Sequence, residues 1–73
     1  MHWDEIKGNW KKLKGKARSK WGQLTDDDLE RVAGQREQLA GIVQKKYGLT
    51  KDEVEGQIEE FIDSLDKYSE SSE

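Results

Sequence analysis

Apolar residues recur at every third or fourth position along most of the chain, which is the spacing of helices with one buried face. Turn signals separate the segments with this pattern, so we predict four helices, over residues 4–21, 26–33, 35–47 and 51–66. One continuous helix through Gly34 would instead give a three-helix bundle, and the pattern leaves that alternative open. The predicted core contains Trp10, Leu13, Trp21, Leu29, Leu39, Val43, Ile58 and Phe61.

Two turns are predicted from a helix stop that is followed at once by a helix start. Gly22 and Gly48 suit the left-handed residue just past a helix C-terminus, where a side chain is disfavoured. Soon after each glycine comes the spacing of a capping box, in which a threonine and an acidic residue satisfy each other's backbone amides. The two predicted capping boxes are Thr25 with Asp28 and Thr50 with Glu53.

The two halves of the chain resemble each other. Residues 8–22 align with residues 34–48 at an offset of 26, with three glycines, a leucine and a terminal aromatic residue in register. This predicts an all-α, four-helix array built from two duplicated helix-turn-helix hairpins. We expect one domain over residues 1–66 and a frayed polar tail over residues 67–73.

Composition limits both the core and the setting of the protein. The chain has 73 residues, of which 40% are charged, and it contains no cysteine and no proline. A chain this short buries only a thin core, and without cysteine it has no disulfide framework. No apolar run approaches the length needed to cross a membrane, and residues 1–12 do not resemble a signal peptide. We therefore expect a soluble, cytoplasmic protein without a membrane partner.

Charge is distributed unevenly along the chain. Residues 1–22 carry seven Lys or Arg and two acidic residues, a net charge of +5, whereas residues 23–73 carry six and fourteen, a net charge of −8. The candidate functional face lies in the first part, where basic residues alternate with Trp10 and Trp21. We call these residues the basic segment: Lys11, Lys12, Lys14, Lys16, Arg18 and Lys20.

The basic segment has two interpretations. Its cations could contact the phosphates of a nucleic acid. They could instead form the solvated face of an amphipathic helix, or pair with the acidic residues of the fourth predicted helix, which are Glu55, Glu59, Glu60, Asp63 and Asp66. A sequence pI near 5.2 for the whole chain argues against nucleic acid, so we favour the second interpretation. We expect Trp10 and Trp21 to pack in the core rather than to stack on bases, whereas Trp3 could staple the first helix or lie exposed.

Other polar residues do not predict a catalytic or metal site. Consecutive residues on a helix point about 100° apart, so the carboxylates of Asp26, Asp27 and Asp28 do not converge on one ion. Capping explains the triplet better. His2 has no partner in the sequence that would make it a ligand or a base. No familiar nucleophile or phosphate-binding motif is present, so we expect no enzyme activity and no cofactor.

Three glycines inside the predicted helices need an explanation. Gly8, Gly15 and Gly41 lie opposite the apolar faces, and each costs about 1 kcal/mol of helix propensity relative to alanine. We expect them to let a second helix or a turn approach closely. The alternative is that they keep the helices marginally stable, so that folding depends on a partner or on conditions.

Several short motifs resemble the CsbD-like family of small bacterial stress-response proteins. They are Asn9-Trp10-Lys11, Lys14-Gly15-Lys16, Trp21-Gly22, Leu24-Thr25-Asp26-Asp27-Asp28 and Tyr47-Gly48. The resemblance runs from about Asp4 to Phe61 and implies a cytoplasmic, non-enzymatic protein of the general stress response, with a four-helix array and no cofactor. The family pattern does not extend to the C-terminal residues 63–73.

The expected activity is to bind or protect macromolecules, with stressed client proteins or nucleic acid as the candidate partners. Nucleic-acid binding through the basic segment is the alternative function. A monomer is expected, although self-association of the basic segment with the acidic remainder would give salt-sensitive oligomers.

Overall fold

The computed structural model describes the backbone of residues 2–71 and the side chains of residues 2–66. Within that part of the chain the structure is helical throughout, with no strand, so the all-α prediction is confirmed. It contains five helices: α1 (Trp3–Gly8), α2 (Trp10–Lys20), α3 (Asp26–Val32), α4 (Arg36–Tyr47) and α5 (Lys51–Ser71).

The first predicted helix, over residues 4–21, is in fact two helices that meet at Asn9. The backbone of Asn9 (φ −112°, ψ 21°) leaves the helical region, and its side-chain amide donates to the carbonyl oxygen of Glu5 at 2.9 Å. Its own carbonyl oxygen then accepts from Lys12 and Leu13 at 2.9 and 3.0 Å and starts α2. Asparagine competes for local backbone groups in this way, which is why it interrupts helices.

A sharp break also separates α3 from α4, so the continuous helix of the three-helix alternative is wrong. Ala33 (φ 50°) and Gly34 (φ 80°) both adopt left-handed backbone conformations. The Trp3 indole N–H donates to the carbonyl oxygen of Gly34 at 2.7 Å, and a Cβ atom at Gly34 would lie 3.0 Å from the Lys7 Cα atom. The start of the chain therefore packs directly on this turn.

Both predicted capping boxes form. The Thr25 and Thr50 hydroxyls accept from Asp28 N and Glu53 N, each at 3.1 Å. The Asp28 and Glu53 carboxylates in turn accept from Thr25 N and Thr50 N, each at 2.9 Å. Gly48 (φ 65°) ends α4 as predicted. Gly22 also lies just past the end of α2, after the C-cap residue Trp21, but it does not adopt the predicted left-handed conformation. The chain turns there through a bond from Leu24 N to the Trp21 carbonyl oxygen at 3.0 Å.

One apolar cluster fills the space between the helices. Its buried members are Ile6, Trp10, Ala17, Trp21, Leu24, Leu29, Val32, Leu39, Val43, Val54, Ile58, Phe61 and Leu65. Every predicted core residue belongs to this set except Leu13, which is half-buried at its edge. No polar or charged residue among residues 2–66 is buried with them. The packing is therefore held almost wholly by removal of apolar surface from water.

The C-terminal helix is longer than predicted. α5 continues to Ser71, beyond the expected end near residue 66. The fraying expected for residues 67–73 stays a prediction, because the side chains of residues 67–71 and all of residues 72–73 lie outside the described part of the chain.

The close approach expected at Gly8, Gly15 and Gly41 is absent. All three glycines are exposed, and a Cβ atom added at any of them would meet nothing within 4 Å. The close-packing explanation is therefore wrong for these positions. Their cost to helix stability is not repaid by a contact within the described chain.

Candidate functional site

The basic segment lies on α2, where the helical repeat divides it into two flanks. Successive residues are about 100° apart, so residues three or four positions apart share a side of the helix. One flank carries Lys11, Lys14 and Arg18, and the other carries Lys12, Lys16 and Lys20. Between the flanks lies the stripe of Trp10 and Ala17 that packs in the core. The six cations therefore do not form one continuous face.

The first flank pairs with α3. Arg18 Nη1 lies 2.8 Å from Asp26 Oδ1, and Lys14 Nζ lies 3.7 Å from Glu30 Oε1. The carboxylates remain largely exposed, with Asp26 at 76% and Glu30 at 68% of side-chain accessibility. Exposed pairs of this kind contribute about 0–1 kcal/mol each to stability. They do, however, lower the positive charge that this flank presents to an anionic partner.

The second flank faces α5. Lys20 Nζ lies 3.2 Å from Glu60 Oε2 and 5.6 Å from the centre of the Trp21 ring. Lys16 also has an interaction partner. The predicted pairing of the basic segment with the acidic helix is therefore confirmed for Glu60, whereas Glu55 and Glu59 pair with Arg36 instead, at 2.8 and 3.5 Å.

Lys11 and Lys12 differ from the rest of the basic segment. Both are exposed, and neither forms an ion pair with any side chain in the described range 2–66. They lie in the first turn of α2 on opposite flanks. Their charge is therefore not offset by an ion pair within the described range.

The three tryptophans are structural. The Trp10 indole N–H donates to the Leu29 carbonyl oxygen at 2.9 Å, and that of Trp21 donates to Gln57 Oε1 at 2.8 Å. The Trp21 ring lies 5.2 Å from the Phe61 ring at a tilt of 50°, a favourable aromatic geometry. The rings of Trp10 and Trp21 are both buried, so neither ring is available for stacking on a base. Trp3 is half-buried and bonded to the α3–α4 turn, a contact that the sequence did not predict.

The acidic triplet diverges as predicted. Asp26 pairs with Arg18, Asp27 is exposed, and Asp28 turns inward to cap α3. Among residues 2–66 no three His, Asp or Glu side chains come together in a way that could hold a metal ion. His2 is exposed just before α1.

Asp28 also belongs to a group that ties the α2–α3 turn to the end of α4, and we call this group the turn latch: Gln23, Asp28, Lys46 and Tyr47. Lys46 Nζ lies 2.5 Å from Asp28 Oδ2 and donates to the Gln23 carbonyl oxygen at 3.3 Å. The Tyr47 hydroxyl oxygen accepts from Gln23 N at 3.0 Å. Hydrogen bonds from Lys46 and Thr25 lower the pKa of Asp28 to about 2.

Sequence reasoning missed the turn latch because its members are ordinary polar residues far apart in the chain. The only available signal was the alignment of the two halves, which places Lys46 and Tyr47 opposite Lys20 and Trp21. In the first half, Lys20 and Trp21 contact α5 through Glu60 and Gln57. In the second half, Lys46 and Tyr47 contact Asp28 and Gln23 in the same way. Their role is structural in each case.

A groove between α4 and α5 measures about 430 Å³. Ala40, Gly41 and Val54 line its apolar part, and its rim carries charges of both signs, including Arg36 and Glu55. Arg36 is held between Glu55 and Glu59, so its charge is largely neutralised. The groove gathers no nucleophile with a base beside it.

No helix in the described range has the length and apolar character needed to cross a membrane.

Comparison with known proteins gives a consistent family. The model of a family described as CsbD-like matches residues 4–56. A UPF0337 protein of Bordetella pertussis is 48% identical over 63 residues, which cover 86% of this chain and 96% of the relative. UPF0337 protein YjbJ of Escherichia coli K12 is 48% identical over 58 residues, covering 80% and 84%. A UPF0337 protein of Nitrosomonas europaea is 44% identical over 70 residues, covering 96% and 74%. No solved structure matches the chain.

Proposed function

Because the chain belongs to the CsbD-like family, we propose that it is a non-enzymatic, cytoplasmic stress-response protein that binds or protects other macromolecules. Stressed client proteins are the favoured partners. The observation that carries the proposal is the character of the folded surface. Among residues 2–66 Ala33 is the only apolar residue that is exposed rather than buried or half-buried, and the other exposed residues are charged, polar or glycine.

A surface of this kind suits a protective protein. Dense charge of both signs keeps a small protein soluble at high concentration.

The proposal is tested by heating a labile client enzyme with and without the protein and following light scattering. We expect less scattering as the molar ratio of protein to client rises. An inert carrier protein at equal mass concentration is the control for crowding, which by itself favours compact states only weakly. Equal scattering in all three samples would overturn the protective function.

The alternative function, nucleic-acid binding, is supported by Lys11 and Lys12. It is weakened by the ion pairs that engage Lys14, Arg18 and Lys20. Each phosphate that a protein neutralises adds about 0.9 to the slope of log affinity against log salt. Two phosphate contacts therefore supply little electrostatic affinity, and that affinity falls about tenfold between about 50 and 200 mM salt.

Fluorescence anisotropy of labelled duplex and single-stranded DNA separates the two functions. The titration is made with the wild type, with K11Q/K12Q, and with the matched variant K14Q/K20Q, which removes the same charge from paired positions. If the protective proposal is right, neither the wild type nor either variant binds the DNA at physiological salt. Micromolar binding that K11Q/K12Q abolishes and K14Q/K20Q retains would make the nucleic-acid function the better one.

We further infer that the chain is a monomer. We also infer that it arose by duplication of one helical hairpin, which corresponds to α2–α3 in the first half and to α4–α5 in the second. The equivalent capping boxes support this origin. So do the equivalent buried pairs Ala17 with Val43 and Leu29 with Val54. The two halves diverge at Gly22, which lacks the left-handed conformation of its counterpart Gly48.

A further inference from the structure

The folded protein exposes little apolar surface among residues 2–66 with which to hold a denaturing client. Proteins that lose their structure expose apolar side chains, and these associate with other apolar surface. In residues 2–66 every Trp, Phe, Ile, Leu and Val is buried or half-buried. Covering a long exposed apolar segment therefore requires this chain to open its own core, because the half-buried side chains offer only small areas of contact.

Three glycines bear directly on how easily it opens. Gly15, Gly41 and Gly56 lie within α2, α4 and α5, each is exposed, and a Cβ atom at any of them would meet nothing within 4 Å. No contact in the described chain requires a glycine there. Relative to alanine, a glycine inside a helix lowers the folding equilibrium about fivefold. Three distant sites act nearly independently, so together they lower it on the order of 100-fold.

The cost falls on every long helix of the protein. α2, α4 and α5 supply most of the buried cluster, including Trp10, Leu39 and Phe61. Weakening all three helices therefore loosens the whole core rather than one end. The chain also has no disulfide with which to offset the loss.

We propose that Gly15, Gly41 and Gly56 keep the folded state marginal, so that stress opens the helices and presents the core residues to apolar segments of denaturing proteins. This inference rests on the proposed protective function and adds its mechanism. The folded chain is the soluble store, and the opened chain is the binding form. On this account the onset of protection coincides with the unfolding of the protein itself.

Two variants that change only methyl groups test the mechanism. G15A/G41A/G56A strengthens the helices and should raise the Tm by about 4–8 °C for each site. G48A places a side chain at a left-handed position (φ 65°) where it meets nothing within 4 Å, and it should lower the Tm by a similar amount per site. Neither variant alters the charge of the surface.

The measurement pairs circular dichroism of the protein alone with light scattering of a client enzyme over the same temperature series. We expect the onset of protection to follow the Tm, upward in the triple variant and downward in G48A. If the triple variant melts higher but protects from the original temperature, opening is not required and the mechanism is wrong, although the protective function stands. A triple variant with an unchanged Tm overturns the role of the glycines. Wild type that protects at no temperature, including above its Tm, overturns the protective function itself.

Discussion

Asp28 makes contacts with two different elements through one carboxylate. It accepts from Thr25 N at 2.9 Å as part of the cap of α3, and it pairs with Lys46 at the end of α4. Only 13% of its side chain is exposed, so the charged form depends on these donors. The donors favour the ionised carboxylate, which is why the pKa falls to about 2.

The lowered pKa of Asp28 predicts a dependence of stability on acid pH. The folded pKa of about 2 lies below the ordinary value of 3.8, so the stabilisation is fully present above about pH 4 and is lost as the pH falls towards 2. The pKa of Glu53 is also lowered, by its hydrogen bonds to Thr50, and contributes with the same sign.

The measurement is the Tm between pH 2 and pH 5 for the wild type, D28N and the exposed neighbour variant D27N. We expect D28N to have a lower Tm at pH 5 and a flatter dependence on pH, whereas D27N follows the wild type. A pH profile of D28N that is parallel to the wild type would show that the turn latch does not contribute.

Leu39 shows how much one buried side chain matters in a thin core. It is fully buried in the apolar cluster, so L39A removes buried methyl groups and leaves a cavity. We expect a loss of about 2–5 kcal/mol in the free energy of unfolding, measured by denaturant titration. The matched variant L49A, at a half-buried position, should lose clearly less. Equal losses would contradict the core assignment.

At the scale of the element, helix ends that depend on local chemistry were predictable and the others were not. A capping box depends on two residues that are three positions apart in the sequence, so both boxes could be predicted from it. The break at Asn9 and the left-handed Ala33 were missed. The turn at Ala33 is set by packing against α1, which brings Lys7 and Trp3 onto Gly34 from far along the chain.

Two glycines in left-handed conformation give a matched test of that close approach. G48A and G34A should each cost about 1–2 kcal/mol for the backbone conformation alone. At Gly34 the new Cβ atom would also lie 3.0 Å from the Lys7 Cα atom, a backbone contact that cannot move cheaply. We therefore expect G34A to lower the Tm more than G48A. If the two variants melt together, α1 does not pack tightly on the turn.

The basic residues of the candidate site could be predicted from the sequence, but their ion-pair partners could not. Composition alone marks the basic segment, because lysine and arginine are concentrated there. The partners Asp26, Glu30 and Glu60 are fixed by how α3 and α5 pack beside α2. That packing is tertiary and leaves no local signal in the sequence.

At the scale of the whole molecule, the uneven charge along the chain is partly neutralised within the fold. Ion pairs join the basic segment to α3 and α5, and Lys46 and Arg36 pair with carboxylates in the acidic part. Cations already engaged inside one molecule are less available to a second copy. The charge asymmetry therefore gives little drive for self-association.

Sedimentation velocity at low and high salt checks this conclusion. Salt screens contacts between exposed charges, so oligomers held by opposite charges would dissociate as salt is added. We expect a monomer with the same sedimentation coefficient at both concentrations. A larger species at low salt that disappears at high salt would contradict it and would favour self-association.

The central claim, that this protein protects other proteins, is tested most directly by drying a labile enzyme and measuring its activity after rehydration. The samples contain the enzyme alone, the enzyme with this protein, and the enzyme with an inert carrier at equal mass. The account predicts that recovered activity rises with the amount of this protein and exceeds that with the carrier. Recovery no better than with the carrier at any ratio would contradict it.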